Sequence, residues 1–168
     1  MFIKTNVRTL ALAVAATAMS SIAGAAFAAQ TAPAIMTVTA TVGPSCVLAT
    51  VTNVSFGTYV PGTESDAVGT FTLNCTNNAP VTVAISAGNG SGHSQGTDTR
   101  AMVSGTNFLS YDLFQNAGHT TVWPLGTGVA TTGTGSPVQF NVFGRITSTL
   151  TGVANGTYSD TVNIVASF

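Results

Sequence analysis

The chain has 168 residues, 45% of them hydrophobic and only 5% charged, with four Lys and Arg against five Asp and Glu and a formal net charge of −1. That composition reverses the signature of a disordered chain. Four basic residues are also too few to neutralise the several phosphates behind most nucleic-acid affinity, so nucleic acid is excluded as a partner. The length fits one domain of ordinary size.

In chain order the first feature is a leader. Lys4 and Arg8 precede an apolar stretch from Thr9 to Met19, and Ala26-Phe27-Ala28 is a small-x-small cleavage site. Together they predict a secretory signal peptide over residues 1–28, cut after Ala28. The apolar run falls short of the roughly 20 residues that span a bilayer. The expected mature chain keeps Arg100 and Arg145 against Glu64, Asp66, Asp98, Asp112 and Asp160, two charges against five, or −3. Its surface must be built largely from Thr, Ser, Asn and Gly. Such a surface offers little repulsion between copies and permits close packing in an assembly.

Residues 29–43 follow as a separate segment. Ala34, Met36, Val38, Ala40 and Val42 share one face of an extended chain, with Thr37, Thr39 and Thr41 on the other. Periodicity leaves two readings open. One is an ordinary first strand paired in its own sheet; the other is a strand donated to a neighbouring subunit.

Residues 44–168 read as the folded domain. Cys46 and Cys75 are the only cysteines, and an even pair in an exported chain predicts a structural disulfide. Closing a loop of about 30 residues is worth roughly 3–4 kcal/mol in the chain-entropy model. Period-2 alternation recurs in Phe71-Leu73-Cys75, Val81-Val83-Ile85, Leu109-Tyr111-Leu113 and Val138-Phe140-Val142. It recurs at the carboxyl end in Tyr158, Val162, Ile164, Ala166 and Phe168. Gly, Pro and Asn punctuate these runs, and Gly88–Gly105 and Gly126–Gly135 read as long polar loops. Short Thr- and Val-rich strands between such breakers predict an all-β sandwich.

Catalytic chemistry finds little support. Gly92-His93-Ser94-Gln95-Gly96 matches G-x-S-x-G, but that nucleophile elbow needs a strand before the Ser and a helix after it, and neither flank has the pattern. His93 and His119 have no metal-ligand spacing and read as surface loop residues. Glu64 and Asp66 in a turn give no constraint of the kind glycoside hydrolysis needs. Trp123, Tyr59 and Phe108 could form a sugar-binding face on a monomeric secreted domain, though aromatics in an all-β chain more often fill the core. No catalytic residue, metal site or cofactor is expected.

Several short motifs point to one family. CVLATVTNVSFGTY from Cys46 to Tyr59, FTLNC from Phe71 to Cys75, TRAM from Thr99 to Met102, LSYDLF from Leu109 to Phe114, FGRI from Phe143 to Ile146 and the closing NGTYSDTVNIVASF together resemble the spore coat protein U domain. Secreted pilin subunits of the archaic, Csu-type chaperone-usher pathway share that domain. The resemblance implies an immunoglobulin-like sandwich lacking its last strand. Its apolar groove would be filled first by a periplasmic chaperone and, after passage through an outer-membrane usher, by the donor strand of the next subunit. It further implies a non-enzymatic subunit of a surface pilus that supports adhesion and biofilm formation, periplasmic in transit and extracellular in the fibre. Ala34, Met36, Val38, Ala40 and Val42 would be the donor residues. Tyr158, Val162, Ile164, Ala166 and Phe168 would edge the groove and meet the chaperone. Head-to-tail donation is a contact that does not close, and so makes a filament of copies or related subunits. A spore or surface coat protein of the same fold is the alternative within the family.

Overall fold

The computed structural model describes residues 31–90, 100–147 and 149–168. The expected leader and the residues His93, Ser94 and Asp98 lie outside them. The chain divides into two units, residues 1–39 and 40–168. In the first, residues 31–39 carry no regular secondary structure and are exposed.

The second unit is built of strands, and no helix occurs among its described residues. In chain order they are β1 (Cys46–Thr52), β2 (Ser65–Cys75), β3 (Pro80–Ile85), β4 (Arg100–Ser104), β5 (Asn107–Phe114), β6 (Val129–Thr132), β7 (Pro137–Ile146) and β8 (Ile164–Ser167). They form a five-stranded sheet ordered β1-β2-β7-β5-β4 and a three-stranded sheet ordered β6-β3-β8. Every pairing is antiparallel. Alternation places Phe71, Leu73, Leu109, Leu113, Val142 and Ile146 of the larger sheet and Val81, Val83 and Ile85 of the smaller in one buried core. Trp123 is buried in the same core, with its ring 6.3 Å from that of Phe71. Cys46 and Cys75 lie directly opposite each other in the β1–β2 register and form the expected disulfide.

Two strands sit inside stretches that the sequence reads as loops. β4 occupies the end of Gly88–Gly105, and β6 the middle of Gly126–Gly135. The glycines flanking β6 serve close approach. A Cβ at Gly128 would run into the Thr82 side chain, and one at Gly133 into the Thr76 carbonyl. Glycine there lets an edge strand press onto β3 and the β2 end, a role that composition does not distinguish from loop freedom.

The carboxyl-terminal strand is shorter than the alternation implies. β8 starts at Ile164, and upstream of it Ser159 bridges to Val103 of β4, with backbone bonds of 2.9 and 3.1 Å. The terminal chain therefore spans the two sheets, meeting β4 first and β3 afterwards. Period 2 persists throughout, because Tyr158, Asp160, Val162, Ile164 and Ala166 are half-buried while Ser159, Thr161, Asn163 and Val165 are exposed. Phe168 lies past the ladder and is exposed.

Candidate functional site: a groove with an apolar floor

The site begins with the way β1 ends. The β1–β2 register breaks between Ala49 and Thr52, and Thr50 adopts a left-handed φ of 46°, the mark of a bulge that bends the strand. The chain then crosses the inner face of the larger sheet, over two glycines. A Cβ on Gly69 would lie 2.7 Å from the Thr52 carbonyl oxygen and 2.8 Å from Val54 Cγ2; one on Gly144 would lie 2.6 Å from Val54 Cγ1. Both positions therefore require glycine for Val54 and Phe56 to settle on β2 and β7. Phe56 packs edge-on against Tyr111, with ring centroids 6.1 Å apart. The Tyr59 hydroxyl donates to the Leu150 carbonyl at 3.2 Å and fixes the far end of the crossing.

This crossing forms one wall of a groove of about 970 Å³. The opposite wall is the terminal chain from Val153 to Ile164, and the floor is Ile85, Met102, Leu109, Leu113, Val142 and Ile146. β8 is paired to β3 on one side and β1 to β2 on one side, so among the described residues both strands present an unpaired edge. Val54, Phe56, Val153, Tyr158, Val162 and Ile164 pack against the core yet stay only half-buried. Each such side chain has withheld part of the roughly 1.5–3 kcal/mol that full burial contributes. An extended strand with apolar residues at alternate positions would complete both the burial and the ladder.

A polar network holds the outer wall. Asp160 points inward from the terminal chain, where its carboxylate accepts from the Tyr111 hydroxyl at 2.6 Å and from the backbone N–H groups of Asn89 at 2.6 Å and Thr161 at 2.7 Å. Beside it Arg100, fully buried, donates to the carbonyls of Ser86 at 3.0 Å, Ile85 at 3.1 Å and Trp123 at 3.3 Å. Burial lowers the Arg100 pKa, and the neighbouring Tyr111, Asp112 and Asp160 oppose that shift. Burial first, and then the bond to Asp160, push the Tyr111 phenol far above its usual range, so it remains a hydroxyl donor. The sequence reading missed this network. Its signal was a charged residue, Asp160, on the inward phase between Tyr158 and Val162.

The other candidate residues are dispersed. Ala34, Met36, Val38, Ala40 and Val42 make no strand; Met36, Val38 and Val42 are 87%, 85% and 81% exposed. Trp123 is core, which removes the main element of a sugar-binding face. His119 corrects its expectation as a surface residue, because its imidazole is buried edge-on against Phe114 and Phe143. The reason is local. Asn116 Oδ1 accepts from the N–H groups of Thr120 and Thr121 and folds the turn back onto the sheet. Glu64 and Asp66 both pair with Arg145, and the bidentate hydrogen bond from that guanidinium holds the Asp66 carboxyl below its usual range. No group of three or more potential metal ligands occurs among the described residues.

No curated protein matches the chain. Among solved structures, it resembles a chain in the CsuC–CsuE chaperone–tip adhesion subunit pre-assembly complex from the archaic chaperone-usher Csu pili of Acinetobacter baumannii. The identity is 30% and the TM-score 0.53, over 76% of this chain and 40% of that one. The chain thus spans less than half the length of that neighbour. The family model of the Spore Coat Protein U domain matches residues 32–165. That span takes in the exposed apolar stripe, β1 to β7, the start of β8 and both walls of the groove, and the chain belongs to the Spore Coat Protein U domain family.

Proposed function

We propose that this chain is a non-enzymatic structural subunit of a secreted surface pilus, assembled by donor-strand complementation through a chaperone-usher pathway. The observation that carries the reading is the groove with an apolar floor between the residues that follow β1 and the terminal chain leading into β8, together with an exposed apolar stripe at the other end of the same chain. Residues 29–43 act as the donor segment. Met36, Val38, Ala40 and Val42 enter the groove of another copy or of a related subunit, and β8 pairs with the entering strand. A periplasmic chaperone occupies the groove beforehand and shields the edge, and an outer-membrane usher exchanges it for the next subunit. The leader directs export, and the fibre carries adhesion and biofilm formation at the cell surface. The complex of the similar tip adhesion subunit with its chaperone supports the partner assignment. The free energy of filling the groove drives assembly, so no nucleotide or cofactor is needed.

The test is the oxidised mature chain from Ala29, compared with its Val38→Asp variant by gel filtration and negative-stain microscopy. Placing a carboxylate in an apolar pocket costs several kcal/mol. Fibres from the parent chain and none from the variant are expected. A variant that polymerises normally would sink the reading.

A further inference from the structure

The proposed donor segment leaves the folded domain at a fixed point. Ser45 precedes β1, and its N–H donates to Thr76 Oγ1 at 3.1 Å while its carbonyl accepts from the Thr76 N–H at 2.9 Å. The Thr76 hydroxyl faces the Ser45 carbonyl at 3.3 Å, with the Gly43 carbonyl at 3.5 Å. One residue further in, the Cys46–Cys75 disulfide ties the same two strands. Thr76 is itself anchored, since its carbonyl accepts from Ala79 N–H at 3.1 Å and Gly133 packs against it. The β1–β2 pairing thus continues outward past the disulfide to Ser45 and Thr76. The groove lies the other way. Its lining begins at Val51, five residues into β1, about 17 Å from Cys46 at the rise of a strand.

Resting on the reading above, we propose that Thr76 is a positioning residue for strand donation. Together with the disulfide it fixes the root of residues 32–42 so that they are offered to a second copy rather than folded back into their own groove. Folding back requires a reversal at Gly43-Pro44-Ser45, where Pro44 biases the preceding residue toward extended backbone. It also requires giving up the Ser45–Thr76 bonds. A reversal through those three residues would set Val42 level with Cys46, Ala40 with Leu48 and Val38 with Thr50, leaving only Met36 and Ala34 to reach the groove. A strand from a second copy has no such tether and can seat the whole stripe.

The experiment uses the oxidised mature chain with Met36 replaced by photo-crosslinking benzoylphenylalanine. Denaturing gels and peptide mapping separate adducts between copies from adducts within one chain. The parent should give a ladder of intermolecular adducts. Thr76→Val, which keeps the shape and loses the hydroxyl, should raise the intramolecular share roughly fivefold, the effect of one hydrogen bond. Thr76→Ser should restore the parent ratio. An unchanged ratio in Thr76→Val would overturn the proposal, as would an equal loss of both adducts with a lowered Tm, which marks a merely structural role. A parent chain that gives no groove adduct of either kind would overturn the donor-strand reading itself, and this inference with it.

Discussion

Arg100 is fully buried beside the half-buried Asp160, and each is tolerated because backbone or phenolic partners surround it. An ionised group taken out of water costs several kcal/mol unless it is paired and hydrogen-bonded. The two residues solve different local problems. Arg100 takes up the carbonyls of Ile85 and Ser86 where β3 ends, and Asp160 ties the terminal chain to Asn89 and Tyr111. Tyr111→Phe removes the donor to Asp160 but leaves its two backbone N–H partners in place. Because Asp160 is half-buried, the cost should fall near the lower end of the charge-assisted range, about 1.5 kcal/mol. Urea unfolding of the oxidised chain should show a lower midpoint with an unchanged slope. A wild-type midpoint would mean that the backbone bonds alone hold the outer wall.

At the scale of elements, the crossing of residues 52–56 over β2 and β7 depends on two glycines that meet different atoms. At Gly69 the near neighbours include the Thr52 carbonyl and the Val54 N–H, which are backbone and cannot rotate away; at Gly144 they are side-chain atoms of Val54 and Phe56. Gly69→Ala should therefore destabilise by about 1–3 kcal/mol, the usual cost of overpacking, and Gly144→Ala by less. Thermal unfolding of the two variants checks the order, and a Gly144→Ala cost equal to or above that of Gly69→Ala would contradict it. The same local physics explains what the sequence discloses. β2, β3 and β7 were legible because each buries one face and alternates accordingly, and β5, though buried on both faces from Leu109 to Phe114, still alternates apolar residues with Ser110 and Asp112. β4 and β6 were not, because four or five residues between glycines carry too little periodicity to outweigh their flanks. Met36 and Val38 announced an apolar stripe but not what covers it. The groove could not be read in the same way, since it is made by the course of the terminal chain across the two sheets and by a bend at Thr50 that no residue type specifies.

For the molecule as a whole, the proposed donor-strand assembly makes the open groove and the exposed stripe two halves of one thermodynamic cycle. Whatever fills the groove binds the folded state and not the unfolded one, so it must raise Tm by an amount that grows with the logarithm of its concentration above Kd. The mature chain carrying Val38→Asp supplies a groove whose own segment is disabled. A peptide of residues 32–42 added at about 100 times its Kd should stabilise that chain by roughly 2.7 kcal/mol, or on the order of 10 °C in Tm for a domain of this size. The segment contains no charged residue, so the shift should be the same at low and high salt, because no ion pair is available to screen. The peptide with Asp at position 38 should give no shift. Differential scanning calorimetry across a peptide titration measures all three. Stabilisation by both peptides alike, or a shift that collapses with salt, would mean that the peptide binds somewhere other than the apolar groove and that the edge of β8 is not where the strand is received.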